Sequence, residues 1–269
     1  GRDYFKHKPA QNTITVDRDG AAAIITLNRP DARNALTPSM IQSLSSALAD
    51  ATKDENIRTI VITGSGKAFC AGLDLKELGS GDAKVGQPDD SRSDPARAIA
   101  DFSGPIIGAV NGVAVTGGFE LALACDVLVA STQARFADTH GRIGLAPAWG
   151  LSQRLPRLIG LARAKEVSLT GNFVDAQTAE RWGLINRVVE PDELLPICRR
   201  MAADMLSMVP SFLPFYKRLL DTGYGMNFDD AMAYEAREAR DHNDKVSATE
   251  IEALRASVMR RGKKQTRGD

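Results

Sequence analysis

The sequence predicts an α/β fold with a helical carboxyl-terminal region, and three observations carry that expectation. Apolar β-rich runs alternate with helical patterns through the amino-terminal half, glycine-containing turns separate them, and from about Leu151 helical periodicity takes over. We place the division between residues 1–205, an α/β core, and residues 206–269, a helical region. No internal repeat of fixed period interrupts this plan.

The first strand is read in "AAAIITLN", which ends at Asn28 and Pro30. "TPSMIQSLSSALADATKD" then supplies a helix: Thr37 is its N-cap, Pro38 its first residue, and apolar side chains recur at helical spacing. "IRTIVITG" is the next strand, followed by the loop "GSGKAFCAGLDLKEL". A tract rich in Gly, Asp, Ser and Pro, residues 79–95, reads as a mobile loop beside whatever site the domain carries. "PIIGAV" is a strand leading through Gly117 and Gly118 into the helix "FELALAC", and "DVLVAS" is a further buried strand. Downstream, "LSQRLPRLIG", "LARAKEVSLTG", "DAQTAERWG", "PDELLPICRRMAADMLSM" and the charged run from Phe228 to Arg261 are all helical in pattern.

Composition excludes several function classes. A chain of 269 residues, 43% of them hydrophobic, can bury a sizeable core. Its 34 basic residues balance 34 acidic ones, so neither a nucleic acid nor an anionic membrane is expected as the main partner. No apolar run approaches the ~18 residues of a membrane helix, and "GRDYFKHKPA" has no apolar segment of the secretory type. Cys70, Cys125 and Cys198 are odd in number, widely separated and without CxxC spacing. They suggest neither disulfides nor zinc, and a reducing cytoplasm fits them. No His, Cys, Asp or Glu cluster has metal-ligand spacing, so a metal-free site is expected. "GSGKAF" lacks the Lys-Ser/Thr ending of a phosphate-binding loop, and Ser152 and Ser168 lack a nucleophile elbow.

The chemistry concentrates in "GVAVTGGFELALACD", where Glu120 stands among apolar residues directly after Gly117 and Gly118. A charge in that company costs free energy unless something compensates. The first amides of a helix have no intrahelical partner and lie in positive potential, a place suited to a developing oxyanion. Two readings of these residues stand together: an acid/base carboxylate beside an oxyanion site, or a solvent-facing first-turn acid after packing glycines. A second small-residue turn, Ala71-Gly72 before an Asp-led helical start at Asp74, offers another free amide at Leu73. Two such turns aimed at one point would make a two-amide oxyanion hole.

"NRPDARNAL", "FCAGLDLKEL", "PIIGAVNGVAVTGGFELALACDVLVAS", "ARFADTHGRIGLAPAWGLSQRLPRLIG" and "AERWGLINRVVE" occur in the order and spacing of the enoyl-CoA hydratase/isomerase superfamily, the crotonases. The resemblance covers residues 13 to 220, and the motifs are specific in combination. It implies a crotonase-like spiral of ββα units, a helical carboxyl-terminal region that builds a trimer or hexamer, and an acyl-CoA thioester substrate. It implies no cofactor beyond the CoA of the substrate. Carried over residue by residue, the oxyanion amides fall on Leu73 and Gly117, and the first catalytic glutamate on Glu120. CoA would lie along the loops "NRPDARNAL" and "FCAGLDL", which makes Ala71, Asp74 and Leu75 candidate binding residues, with Gly118 of "TGGFE" a further one. Arg29 and Arg33 are candidates for its phosphates, with plain solvent exposure as the competing reading. Basic residues of "RRGKKQ" from a neighbouring subunit are further candidates.

The pattern departs from the hydratases of this family at their second glutamate, whose place is held by His140. Imidazole supports acid–base chemistry near neutral pH, and Asp138, which would share its face if the segment is extended, is a further catalytic candidate that would orient the ring or stand in as the acid. The competing reading of His140 is a satisfied loop histidine. The carboxylate often used by isomerases of the family falls on Ala148. Trp149 follows, either narrowing the acyl pocket or packing a helix start. The expected function is therefore hydration of a 2-enoyl-CoA through a stabilised enolate. The alternatives are another reaction of the same fold on a Glu/His pair (isomerisation, thioester hydrolysis or carbon–carbon cleavage) and non-catalytic acyl-CoA binding.

Overall fold

The computed structural model describes residues 12–78 and 94–267. The polar tract read as a mobile loop lies outside the described residues, apart from Asp94 and Pro95. Among the described residues ten strands form two sheets. They are β1 (Ile14–Asp19), β2 (Ala22–Leu27), β3 (Thr59–Gly64), β4 (Ala68–Cys70), β5 (Ile106–Val110), β6 (Val113–Val115), β7 (Val127–Ser131), β8 (Arg135–Ala137), β9 (Val174–Asp175) and β10 (Arg187–Val189). The larger sheet has the order β1-β2-β3-β5-β7-β10 and is parallel except for the β1–β2 pair. The smaller has the order β4-β6-β8-β9, with only β9 antiparallel.

After α1 (Pro38–Lys53), strands enter in pairs, one to each sheet, and helices close each turn. β3 and β4 are followed by α2 (Leu75–Leu78) and α3 (Pro95–Ala100), and β5 and β6 by α4 (Gly117–Ala124). β7 and β8 are followed by α5 (His140–Ile143), α6 (Leu151–Ile159) and α7 (Leu161–Thr170). The result is the spiral of ββα units that the motifs imply. α8 (Ala176–Trp182) and α9 (Leu194–Leu206) complete the packing around it.

The central strands β3, β5 and β7 are buried along nearly their whole length and mostly apolar, because both sheet faces are covered. Alternate residues divide between two cores, as the period of two requires. Ile60, Ile62, Ile106, Val110, Leu128 and Ala130 pack on the face that holds Met40 and Leu44 of α1 and Phe119 of α4. Val61, Ile107, Ala109 and Val129 face Leu194, Cys198 and Ala202 of α9. The edge strand β1 is exposed over Val16 to Asp19 and carries Asp17, Arg18 and Asp19, charges that discourage edge pairing. Thr37 caps α1 as read, its hydroxyl accepting from the Met40 N–H at 3.1 Å.

The chain divides into two compact units, residues 1–214 and 215–269. The sequence put this change at 205–206. The difference arises because α9 packs on the sheet and Leu213 is buried, so the residues after 205 stay with the core. α10 (Phe212–Tyr224) was not read from the sequence. The charged run from Phe228 forms α11 (Phe228–Asn243) and α12 (Ala248–Arg267). They break where Ser247 and Glu250 hydrogen-bond reciprocally in a capping box. In the second unit Phe215 stacks on His242 at 4.4 Å, and Leu220, Tyr224, Phe228 and Val258 are exposed. Among the described residues no helix is long and apolar enough to cross a membrane.

Candidate active site

α4 begins at Gly117, so both glycines belong to the helix and Glu120 sits in its first turn. Its amino end is pressed against β4: a Cβ on Gly118 would stand 2.1 Å from the Cys70 carbonyl oxygen, which only glycine avoids. The second turn reaches the same point. Gly72, at φ +88°, has its own would-be Cβ 3.4 Å from the Gly117 nitrogen. The chain around it is stitched to the loop before α1, with the Leu36 N–H donating to the Gly72 carbonyl and the Asp74 N–H to the Leu36 carbonyl. That ladder skips the Leu73 N–H. Among the described residues no backbone carbonyl takes the N–H of Leu73 or of Gly117. The two turns singled out in the sequence therefore converge.

Glu120 is buried, at 2% exposure, which removes the solvent-facing reading. Its Oε1 accepts the N–H of Trp149, just before α6, at 2.8 Å and that of Leu151, the first residue of α6, at 3.2 Å. One helix thus lends a carboxylate to the unpaired amides of another. Oε2 is turned toward His140, 3.6 Å from Nε2. On the other side of the ring, Nδ1 lies 2.7 Å from Asp138 Oδ1, which also accepts the His140 backbone N–H at 3.1 Å.

This pairing corrects the extended-segment reading. β8 ends at Ala137, and Asp138 turns the chain so that its carboxylate meets the residue two places on. Burial by itself would push the His140 imidazole down. The hydrogen bonds and charges of Asp138 and Glu120 outweigh it and raise the ring to about 9. Burial would likewise raise Asp138. Hydrogen bonds from the His140 ring, the Ser168 hydroxyl and the His140 N–H hold it below the usual carboxylate range instead. The raised His140 ring thus lies between the side chains of Asp138 and Glu120, positioned to hold a proton at neutral pH.

Trp149 packs as the core reading expects, with its backbone just before α6. Its ring packs partly against the main core, and Cζ3 lies 3.0 Å from where a Gly117 Cβ would stand, beside the convergent amides. Arg29 turns inward: its guanidinium contacts Asp74 Oδ2 at 3.2 Å and donates to the Ala35 carbonyl, which ties the two CoA-loop candidates to each other. The Ala71 N–H donates to the Arg33 carbonyl at 3.0 Å, while the Arg33 side chain and Leu75 are exposed. Burial pushes the thiols of Cys70 and Cys198 up to about 12 and raises Cys125 as well, which leaves none of them a nucleophile.

Sequence reasoning missed four residues that hold this arrangement. Asn34, fully buried at φ +56°, accepts the Arg29 N–H and donates to the Ser65 and Ala68 carbonyls. Its signal was present, since Asn is enriched at positive φ. Thr116 and Thr139 link the turn before α4 to the turn before α5. Ser168, on α7, reaches Asp138. The last three have no local sequence signal.

Residues 17–261 match the family model for enoyl-CoA hydratase/isomerase. The chain belongs to the enoyl-CoA hydratase/isomerase family. It is 38% identical over 260 residues to the Arabidopsis thaliana protein named "Probable enoyl-CoA hydratase 1, peroxisomal", covering 95% of this chain and 96% of that one. Among solved structures it is similar to an enoyl-CoA hydratase subunit I from Geobacillus kaustophilus, with 33% identity, a TM-score of 0.81, and 91% and 95% of the two chains covered. It is also similar to a monofunctional enoyl CoA isomerase from M. smegmatis, with 34% identity, a TM-score of 0.71, and 82% and 99% covered. The crotonase fold is common to all of them; the reaction is not.

Proposed function

We propose that the protein adds water across the double bond of a 2-enoyl-CoA, with coenzyme A entering only as part of the substrate. The observation that carries this is the Glu120 carboxylate, anchored through Oε1 and presented through Oε2 beside an imidazolium. Syn hydration needs a base for water and an acid for the α-carbon, and this pair supplies both. Glu120 takes a proton from the attacking water as its oxygen bonds to Cβ. The electrons move to the thioester oxygen, which the Leu73 and Gly117 amides hold as an enolate. His140 Nε2–H then protonates Cα, and the proton held by Glu120 returns to His140 across the 3.6 Å gap.

Loss of the enoyl-thioester ultraviolet absorbance of crotonyl-CoA, with a 3-hydroxyacyl product, is the expected result. No loss would sink the reading. In the same assay Arg33→Ala is expected to raise KM several-fold with kcat little changed, because its exposed guanidinium is suited to a CoA phosphate and uniform binding is what it would lose. An unchanged KM removes Arg33 from the site.

Isomerisation is the second reading, favoured by the isomerase neighbour. A 3-enoyl-CoA converted to the 2-enoyl isomer, with no hydroxyacyl product from crotonyl-CoA, would establish it. The exposed apolar side chains of α10 to α12 support a homotrimer or hexamer. Light scattering is expected to give three or six times the 28.9 kDa chain mass, and a single-chain mass overturns that assembly.

A further inference from the structure

We propose that Thr116 is a positioning residue, a strained rivet that fixes the oxyanion turn against the turn carrying His140. The proposal rests on the site assignment above and deepens it. Thr116 has φ +52° and ψ −111°, a region that suits glycine and is a true outlier for a β-branched side chain. Nothing in the backbone path demands a side chain there, since glycine would follow the same course without strain. The side chain itself must account for the residue.

Thr116 is buried, at 6% exposure, and its hydroxyl and its backbone N–H both reach the segment that carries Asp138 and His140. Its hydroxyl lies 2.5 Å from the Thr139 hydroxyl and accepts the Thr139 N–H at 3.2 Å. Its own N–H donates to the Ala137 carbonyl at 2.9 Å, on the strand that delivers Asp138. Its Cβ stands 3.4 Å from the would-be Cβ of Gly72, so it also backs the second turn. Gly117 is the next residue after Thr116, and His140 the next after Thr139. The β6–β8 register ends at the Val115–Ala137 pair, and the hydroxyl pair just beyond it braces the enolate donors against the proton donor where the ladder stops.

Three proteins decide this: wild type, Thr116→Gly and Thr116→Ser. Thr116→Gly removes both strain and hydroxyl, so it is expected to keep or raise Tm while lowering kcat roughly 10- to 100-fold, with KM within about threefold. Thr116→Ser restores at least half of the wild-type kcat. Acetoacetyl-CoA, whose enolate shares its charge with the thioester oxygen, gives a readout free of turnover. Its affinity is expected to weaken roughly tenfold in Thr116→Gly and to return in Thr116→Ser, with free CoA binding unchanged.

A Thr116→Gly protein with kcat and acetoacetyl-CoA affinity both within twofold of wild type overturns the proposal. So does a loss of kcat that comes only with a lower Tm. If the wild type hydrates no enoyl-CoA, the hydration reading fails by itself and the acetoacetyl-CoA comparison still decides the role of Thr116. A wild type without affinity for acetoacetyl-CoA overturns both.

Discussion

Glu120→Gln will lower kcat on crotonyl-CoA by roughly 10²- to 10⁴-fold, the range for loss of a general base, while KM stays within a few-fold. The substitution is close to isosteric, so the amide oxygen can keep accepting from the Trp149 and Leu151 N–H groups and the start of α6 stays capped. What changes is the other end of the side chain. An NH2 group then faces His140 Nε2, a donor against a donor, and no lone pair remains to take a proton from water. The variant is expected to fold, with a Tm near the wild type, and to bind acyl-CoA, because the Leu73 and Gly117 amides are untouched. Retention of more than a tenth of wild-type kcat would remove Glu120 from the chemistry and leave it a capping residue for α6. Loss of CoA affinity in step with kcat would mean that the substitution had moved the amides, not the base.

The parts of this site that were legible in the sequence are those whose cause is local. The strand "IRTIVITG" announces itself by composition, and α1 by Thr37, Pro38 and its spacing. The two turns could be found because glycine before a helix start has a physical meaning within a few residues. β4, β6 and β8 were invisible because three residues carry no period. α10 was hidden by Pro214 and Gly223 in its own sequence, although proline in a first turn costs a helix little. The anchoring of Glu120 comes from amides about thirty residues away, and the inward turn of Arg29 from a carboxylate 45 residues away. No window along the chain contains either pair. The same holds for Thr116, whose hydrogen-bond partner Thr139 lies 23 residues on, beside Ala137, whose carbonyl takes the Thr116 N–H.

Activity will also fall on the alkaline side as pH rises through about 9, because His140 must be an imidazolium to protonate Cα. The sign follows from the surroundings of the ring. Asp138 faces Nδ1, Glu120 faces Nε2 and the Ser168 hydroxyl on α7 steadies Asp138, so both charges near the ring favour its protonated form. The ring is raised from 6.5, so its contribution to folding is complete below 6.5 and disappears as pH climbs through 9. Stability should therefore decline over the same interval as activity. His140→Gln tests the assignment: kcat is expected to fall roughly 10²- to 10⁴-fold, and the residual rate to lose the alkaline limb near 9. Asp138→Asn should instead keep a limb and move it toward 6.5, since the strongest partner of the ring has lost its charge. The buried thiols titrate too high to imitate this signal, with Cys70 and Cys198 near 12. A rate that stays flat from pH 7 to 10 in the wild type would mean that the proton reaches Cα from elsewhere. A limb that survives in His140→Gln would mean the same, and the Asp138–His140 pair would then be a structural clasp holding α5 to β8.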